Sequence, residues 1–203
     1  MVAVSKSQSP EAIRAAFAAG CRDFGESYVQ EALPKMAALE DLPITWHFIG
    51  HLQGNKARDV AERFEWVHAV DRAKVAQALA RARPAGRAPL QACLQVNISH
   101  EATKGGVTAD AAPAIAGEIA SLEGLRLRGL MGMASPAPEV AAQRAEFASL
   151  KALFDRLGTG GHHQLDTLSM GMSQDFEAAI LEGSTMVRVG TAIFGERERK
   201  RAA

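Results

Sequence analysis

The chain has 203 residues, of which 47% are hydrophobic and 23% charged, as in an ordinary soluble globular domain. Lysine plus arginine and aspartate plus glutamate both total 23, and this zero net charge argues against nucleic acid or an anionic membrane as the main partner. Two cysteines without metal-ligand spacing, no signal-peptide pattern and no apolar run long enough to span a bilayer predict a cytoplasmic protein.

Short apolar runs alternate with helical patterns along the whole chain. The predicted strands cover residues 2–6, 22–24, 44–49, 65–70, 90–97, 125–131, 167–170 and 185–193. The predicted helices cover residues 10–19, 27–39, 55–64, 71–83, 108–122, 138–157 and 174–181, with predicted N-caps at Ser9, Asn55, Asp71 and Thr108.

Eight strand–helix alternations predict a parallel sheet, and their number favours a closed (β/α)8 barrel over an open sheet. We expect one domain over residues 1–195, followed by a charged tail, 196–203, that frays. The first strand begins almost at Met1. Either side chains alone close the amino-terminal face of the barrel, or this start omits a native segment.

Lys6 ends the first predicted strand, and the carboxyl ends of barrel strands carry function. A partly desolvated lysine amine at that place can attack an aldehyde and form a Schiff base. The simpler alternative is a lysine that ends a strand and reaches solvent.

Two loops are candidates for binding a phosphate. After the seventh strand, Gly171 allows close backbone approach and Ser173 stands at a helix start, although Ser173 is also explained as an N-cap. Gly190 and Thr191 follow the eighth strand. Because the loops after strands seven and eight form a recurring phosphate site in such barrels, the pair predicts a phosphate-bearing ligand.

Other polar residues at the strand ends allow more than one interpretation. Arg188 either faces outward to a helix carboxylate or faces inward as a donor to a ring nitrogen or a phosphate. His47 and His51 suit a polar wall or structural hydrogen bonds better than a metal site. Lys56 and Lys104 are expected to be solvated. The strand ends hold no matched carboxylate pair and no Ser-His-Asp set.

Seven segments, in order along the chain, carry a resemblance to one family. They are Val4-Ser5-Lys6, Phe24-Gly25-Glu26, 46–53, Asn55-Lys56, 127–131, 168–173 and 187–195. Together they cover nearly the whole chain, which resembles the pyridoxal phosphate homeostasis proteins, also called the YggS/PROSC family.

The resemblance implies a single barrel like the N-terminal domain of alanine racemase, binding pyridoxal 5'-phosphate (PLP). By that resemblance Lys6 forms the Schiff base, Ser173, Gly190 and Thr191 hold the phosphate, and Arg188 faces the pyridine nitrogen. Ser169, Met170, Gly171 and Asn97 complete the expected cofactor-binding set. The family is thought to buffer or deliver the cofactor, so apoenzymes that use PLP are candidate recipients, and we expect a monomer.

Two other functions stay open at this stage. A PLP-dependent racemase would need a second acid/base group facing Lys6, and neither Tyr28 nor Cys93 has a convincing position for that role. A barrel that binds another phosphorylated metabolite without a covalent link is the third interpretation. The chain departs from the family pattern at Ser27, where asparagine is expected, and in apparently lacking a helix before the first strand.

Overall fold

The computed structural model describes residues 1–99, 101, 104–136, 139–162 and 164–195. Its strands are β1 Val2–Val4, β2 Asp23–Glu26, β3 Thr45–Phe48, β4 Trp66–Val70, β5 Leu90–Gln95, β6 Leu125–Met131, β7 Thr167–Ser169 and β8 Arg188–Val189. Its helices are α1 Pro10–Ala18, α2 Val29–Ala38, α3 Ala57–Arg63, α4 Ala73–Ala82, α5 Ala112–Ala120, α6 Val140–Thr159, α7 Phe176–Leu181 and α8 Thr191–Phe194, with a 3-10 turn at Gly54–Lys56.

The eight strands form one parallel sheet in the order β7-β6-β5-β4-β3-β2-β1-β8. A parallel bridge between Ser169 and Met186 connects the two ends of this order, so the sheet curls into a nearly closed barrel. The predicted (β/α)8 barrel is therefore confirmed. All carboxyl ends of the strands lie at one face, where barrels of this type place their function.

The main hydrophobic core lies between the sheet and the surrounding helices. Phe48, Leu94 and Leu127 from the strands and Leu79 and Phe147 from the helices are buried in one continuous cluster. Fully burying one such side chain contributes roughly 1.5–3 kcal/mol. This layer holds the strands at fixed positions and so fixes the loops that follow them.

Predicted helix starts are confirmed at Ser9 and wrong at three other residues. The Ser9 hydroxyl accepts from the Ala12 amide at 3.3 Å, with Pro10 opening α1. Asn55 lies inside the 3-10 turn, and Lys56 takes the cap position of α3. Asp71 accepts from Arg72 at 2.5 Å instead of capping α4, because the neighbouring guanidinium occupies its carboxylate. Thr108 accepts from the Ala111 amide at 3.3 Å in the turn before α5, and Ala111 takes the cap position of that helix.

The eighth predicted strand, 185–193, is wrong in its second half. β8 ends at Val189, and the amides of Ile193 and Phe194 donate to the Gly190 carbonyl at 2.9 Å to form α8. An apolar run of this length is compatible with either structure, and local hydrogen bonding decides for the helix. The predicted tail, 196–203, and the predicted helix start at residue 138 lie outside the described residues.

Candidate functional site

A cavity of about 300 Å³ opens at the carboxyl ends of the strands. Its volume is at the lower end of the range typical of small-molecule sites. Five predicted site residues line it: Lys6, Ser173, Arg188, Gly190 and Thr191. Val4, Ser27, Ile49, Met133, Ala134, Pro136, Met172, Gln174 and Asp175 complete the described lining. The cavity thus combines two cationic side chains, several hydroxyls and an apolar wall.

Lys6 lies in the turn after β1, two residues beyond the end of that strand, and is partly buried. Buried contacts fix the backbone just before it, since the ammonium group of Lys35 donates to the Ser5 carbonyl at 2.8 Å and to Glu26 at 2.9 Å. The Ser5 hydroxyl also donates to Glu26, at 2.6 Å. Lys6 therefore lines the cavity from a turn whose preceding residue, Ser5, is held by Lys35 and Glu26.

Glu26 is a buried carboxylate next to this turn. Burial raises its pKa, and the hydrogen bonds from Ser5 and Lys35 act in the opposite direction. Its second oxygen, Oε2, is fully buried without a hydrogen-bond partner among the described residues. Lys35 also pairs with Glu31, at 2.5 Å, so one buried ammonium group connects two carboxylates to the turn before Lys6.

Ser173 and Gly190 connect the loops after β7 and β8. The Gly190 amide donates to the Ser173 hydroxyl at 3.3 Å, so these two groups already lie beside one another at the cavity. A Cβ at Gly190 would lie 3.4 Å from the Cβ and the carbonyl oxygen of Val4, in ordinary van der Waals contact. Gly190 therefore packs directly beside the end of β1 at the cavity.

Arg188 is almost fully buried and faces inward, which agrees with one of the two orientations that the sequence allowed. Its Nη1 donates to the carbonyl and the hydroxyl of Ser169, each at 2.7 Å, and its Nη2 donates to the Gly132 carbonyl at 3.2 Å. Burial lowers the pKa of Arg188 to about 10, which leaves the guanidinium protonated at neutral pH. The cation is held by neutral oxygens beside the cavity.

The other predicted site residues lie around the cavity instead of lining it. Ser169 and Met170 are fully buried, Ser169 in contact with Arg188, and the Gly171 carbonyl accepts from the Arg188 amide at 2.9 Å. Asn97 donates to the Glu101 and Lys104 carbonyls at 2.9 and 3.1 Å, which shapes the loop after β5. These residues support the site through their neighbours.

A line of polar groups continues below Arg188, and the sequence predicted a role for Ser169 and His47 in it but none for His68 or Asp23. Ser169 contacts His68 at 2.8 Å, His68 contacts His47 at 2.9 Å, and His47 contacts Asp23 at 3.0 Å. Structural hydrogen bonds of His47 are thus confirmed. A usable signal was the recurrence of tryptophan followed closely by histidine in two apolar strands, Trp46-His47 and Trp66-Val67-His68.

Tyr28 and Cys93 do not line the cavity in the described part of the chain. Cys93 is fully buried, and burial raises its pKa to about 12. Tyr28 is 62% exposed and lines a separate cavity that shares Lys6 and Ser27 with the first. The described residues contain no group of three potential metal ligands and no helix long and apolar enough to cross a membrane.

Comparison with solved structures supports the barrel fold. PipY of Synechococcus elongatus without PLP superposes with a TM-score of 0.90 at 42% identity, over 96% of this chain and 91% of that one. The PLP-bound structure of PipY gives 0.87 at 40% identity, over 96% and 92%. Alanine racemase of Clostridium difficile shares the fold alone, with a TM-score of 0.75 at 15% identity, over 98% of this chain and 53% of that one.

Sequence comparisons agree with the structural ones. The model of the alanine racemase N-terminal domain matches residues 1–198. The pyridoxal phosphate homeostasis protein of Pseudomonas aeruginosa is 57% identical over 198 residues, or 98% of this chain and 84% of the relative. The protein of that name in Escherichia coli K12 is 47% identical over 201 residues, or 98% and 86%. The chain therefore belongs to the alanine racemase N-terminal domain family and, within it, to the pyridoxal phosphate homeostasis proteins.

Proposed function

We propose that this chain binds PLP, with Lys6 as the residue of covalent attachment, and acts as a carrier and regulator in intracellular PLP homeostasis. The observation that carries the proposal is the cavity that brings Lys6 together with Arg188 and with the Ser173–Gly190 contact. The names of the relatives and the PLP-bound PipY structure support it.

The residues present fit this cofactor part by part. When bound, PLP supplies an aldehyde that a lysine amine can attack, and Lys6 is the lysine that lines the described cavity. The Ser173 hydroxyl, the Gly190 amide and Thr191 offer hydrogen-bonding groups to a phosphate. Val4, Ile49 and Met133 form an apolar wall for an aromatic ring, and Arg188 supplies a cation at its edge.

The same residues favour carriage over turnover. A cofactor used as a strong electron sink commonly has an acid at its pyridine nitrogen, whereas the protonated Arg188 disfavours a protonated ring. A two-base racemase also needs a second proton-transfer group, and the described cavity lining contains no tyrosine or cysteine. Holding and releasing the cofactor requires neither feature.

Recipients, assembly and location follow as further parts of the proposal. We propose that apoenzymes that use PLP receive the cofactor, that the chain works as a monomer, and that it works in the cytoplasm. Two unpaired cysteines support a reducing compartment. Light scattering of the purified protein tests the monomer, which has a mass of 21.6 kDa.

An absorbance titration with PLP tests the proposed function. The wild-type protein should develop a visible band that saturates at one equivalent of PLP, and Lys6→Ala should abolish this band. Lys56→Ala is the matched control because Lys56 lines only the neighbouring cavity, and its band should be unchanged. A wild-type protein that stays colourless in excess PLP would refute the proposal, and an unchanged band in Lys6→Ala would refute the role of Lys6.

A further inference from the structure

The interior of the barrel carries a continuous line of polar side chains. His68 on β4 and Ser169 on β7 are not on neighbouring strands, so the contact between them crosses the barrel interior. Such interiors are usually filled by branched apolar residues, and buried polar groups are costly unless they are hydrogen-bonded. His47, His68 and Ser169 are all fully buried, and each is bonded on both sides.

The two ends of this line fix its direction. At one end Arg188 can only donate, so the Ser169 hydroxyl oxygen accepts from it. At the other end, the hydrogen bond from His47 lowers the pKa of Asp23. Asp23 is therefore a carboxylate at neutral pH and can only accept, so the proton of the His47 ring lies on Nε2.

The inner bonds follow from these ends. Burial lowers the pKa of both histidines, so both rings are neutral and each carries one proton. With its proton on Nε2, His47 accepts at Nδ1 from the Nε2–H of His68. His68 then accepts at Nδ1, and the Ser169 hydroxyl must donate to it. Every hydrogen bond from Arg188 to Asp23 therefore points the same way.

The surroundings hold the histidine rings in this arrangement. Trp66 stacks on His47 with 5.4 Å between ring centroids and 12° between ring planes. Asp23, Glu65, His68 and the amino-terminal amine are the titratable groups that act on His47. His47 and Arg188 act on His68. Arg188 therefore disfavours a second proton on His68, which keeps that ring neutral.

We propose that Asp23, His47, His68 and Ser169 form a one-way hydrogen-bond relay that positions Arg188 at the cofactor cavity and couples it to the amino-terminal end of the barrel. The proposal rests on the proposed function only for the identity of the ligand that Arg188 meets. Because the relay commits the Ser169 proton to His68, the Ser169 oxygen stays available to accept from Arg188. Asp23 begins β2 and its side chain is 42% exposed, so the relay ends at the surface on the amino-terminal side of the barrel.

Nitrogen-15 NMR of the histidine rings in the full chain without added cofactor tests the relay directly. We expect both His47 and His68 to be neutral with the proton on Nε2 at pH 7. Because an asparagine side chain can donate or accept, Asp23→Asn should let the opposite tautomer appear beside the original one, in both rings together. Asp166→Asn is the matched control, since Asp166 is also a half-exposed carboxylate at the start of a strand, paired with Arg128, and it should change neither ring. A proton on Nδ1 of His68 in the wild type, or a change confined to His47, would overturn the relay.

Cofactor affinity tests whether the relay positions Arg188. Glutamine at position 68 can accept from Ser169 and donate to His47, whereas leucine can do neither. His68→Gln should therefore keep the Kd for PLP within about threefold of wild type, and His68→Leu should weaken it at least about tenfold and shift the visible band. Equal affinities in the two variants would overturn the positioning role. A wild type with the expected tautomers that does not bind PLP would overturn the proposed function alone.

Discussion

At the scale of single residues, two buried cations, Arg188 and Lys35, support the site and differ in the groups that bind them. The described hydrogen bonds of Arg188 go to neutral oxygens, so none of these partners cancels its charge. Lys35 instead lies against the carboxylate of Glu26 and holds the backbone before Lys6. The first arrangement places a protonated guanidinium at the edge of the cavity, and the second stabilises the turn that carries the attachment residue.

Removing Lys35 should destabilise the fold because the buried carboxyl of Glu26 loses the cation that stabilises its charged form. We expect Lys35→Met to lower the free energy of unfolding by about 3–5 kcal/mol. Lys151→Met, which breaks an exposed ion pair with Asp155, should cost less than about 1 kcal/mol. Urea denaturation measures the free energy of unfolding of both variants. Equal decreases would show that the buried ion pair stabilises the fold no more than the exposed one.

The two buried histidines should make stability depend on pH. Their pKa values are lowered in the folded protein, so below the unfolded value of about 6.5 the unfolded chain binds more protons. Stability should therefore be fully present above that pH and fall as the pH drops from 7 to 5, by up to about 1.4 kcal/mol per pH unit for each histidine. His68→Gln should flatten this slope in urea denaturation at pH 5, 6 and 7. If His68→Gln leaves the pH dependence of stability unchanged, protonation of His68 does not cause it.

At the scale of elements, the loop between β7 and α7 shows how backbone geometry positions the site. Gly171 has a φ of +95°, and a Cβ there would lie 2.7 Å from the Ala179 Cβ and 3.0 Å from the Phe176 Cα. Its carbonyl accepts from the Arg188 amide. Packing of α7 against this loop thus sets the position of β8 and of the residues that follow it.

Gly171→Ala should be more destabilising than a glycine replacement with conformational strain alone. Gly20 supplies the comparison, because its φ is +108° and the space around it is open. We expect Gly20→Ala to cost about 1–2 kcal/mol from strain, and Gly171→Ala to cost at least about 1 kcal/mol more because it overpacks the loop. Thermal and urea unfolding provide the values. Similar losses would mean that the loop and α7 adjust freely.

The sequence predicted some boundaries of helices and strands correctly and others wrongly. Ser9 and Pro10 carry a local start signal that α1 uses, so that prediction was confirmed. Asp71 carries the same kind of signal but is taken by its neighbour Arg72, a competition that residue preference does not include. Near Gly190, an apolar run fits a strand or a helix, and only the local hydrogen bonds decide.

At the scale of the whole molecule, the repeating pattern predicted the barrel because eight alternations leave few other parallel folds. The place of the cavity could also be predicted, because the ends of the strands meet at one face of the barrel. One cavity there is lined by five predicted residues: Lys6, Ser173, Arg188, Gly190 and Thr191. The hydrogen-bond relay could not be predicted from the sequence. Its bonds join residues up to 101 positions apart across the interior, and a pattern along the chain does not show which side chains meet there.

We propose Lys6 as the point of covalent attachment for PLP. Borohydride reduction of the full chain incubated with PLP, followed by peptide mapping with mass spectrometry, identifies the attached residue. We expect one modified residue, Lys6, carrying the added mass of the reduced PLP group. A label on another lysine, or no label after reduction, would contradict this proposal.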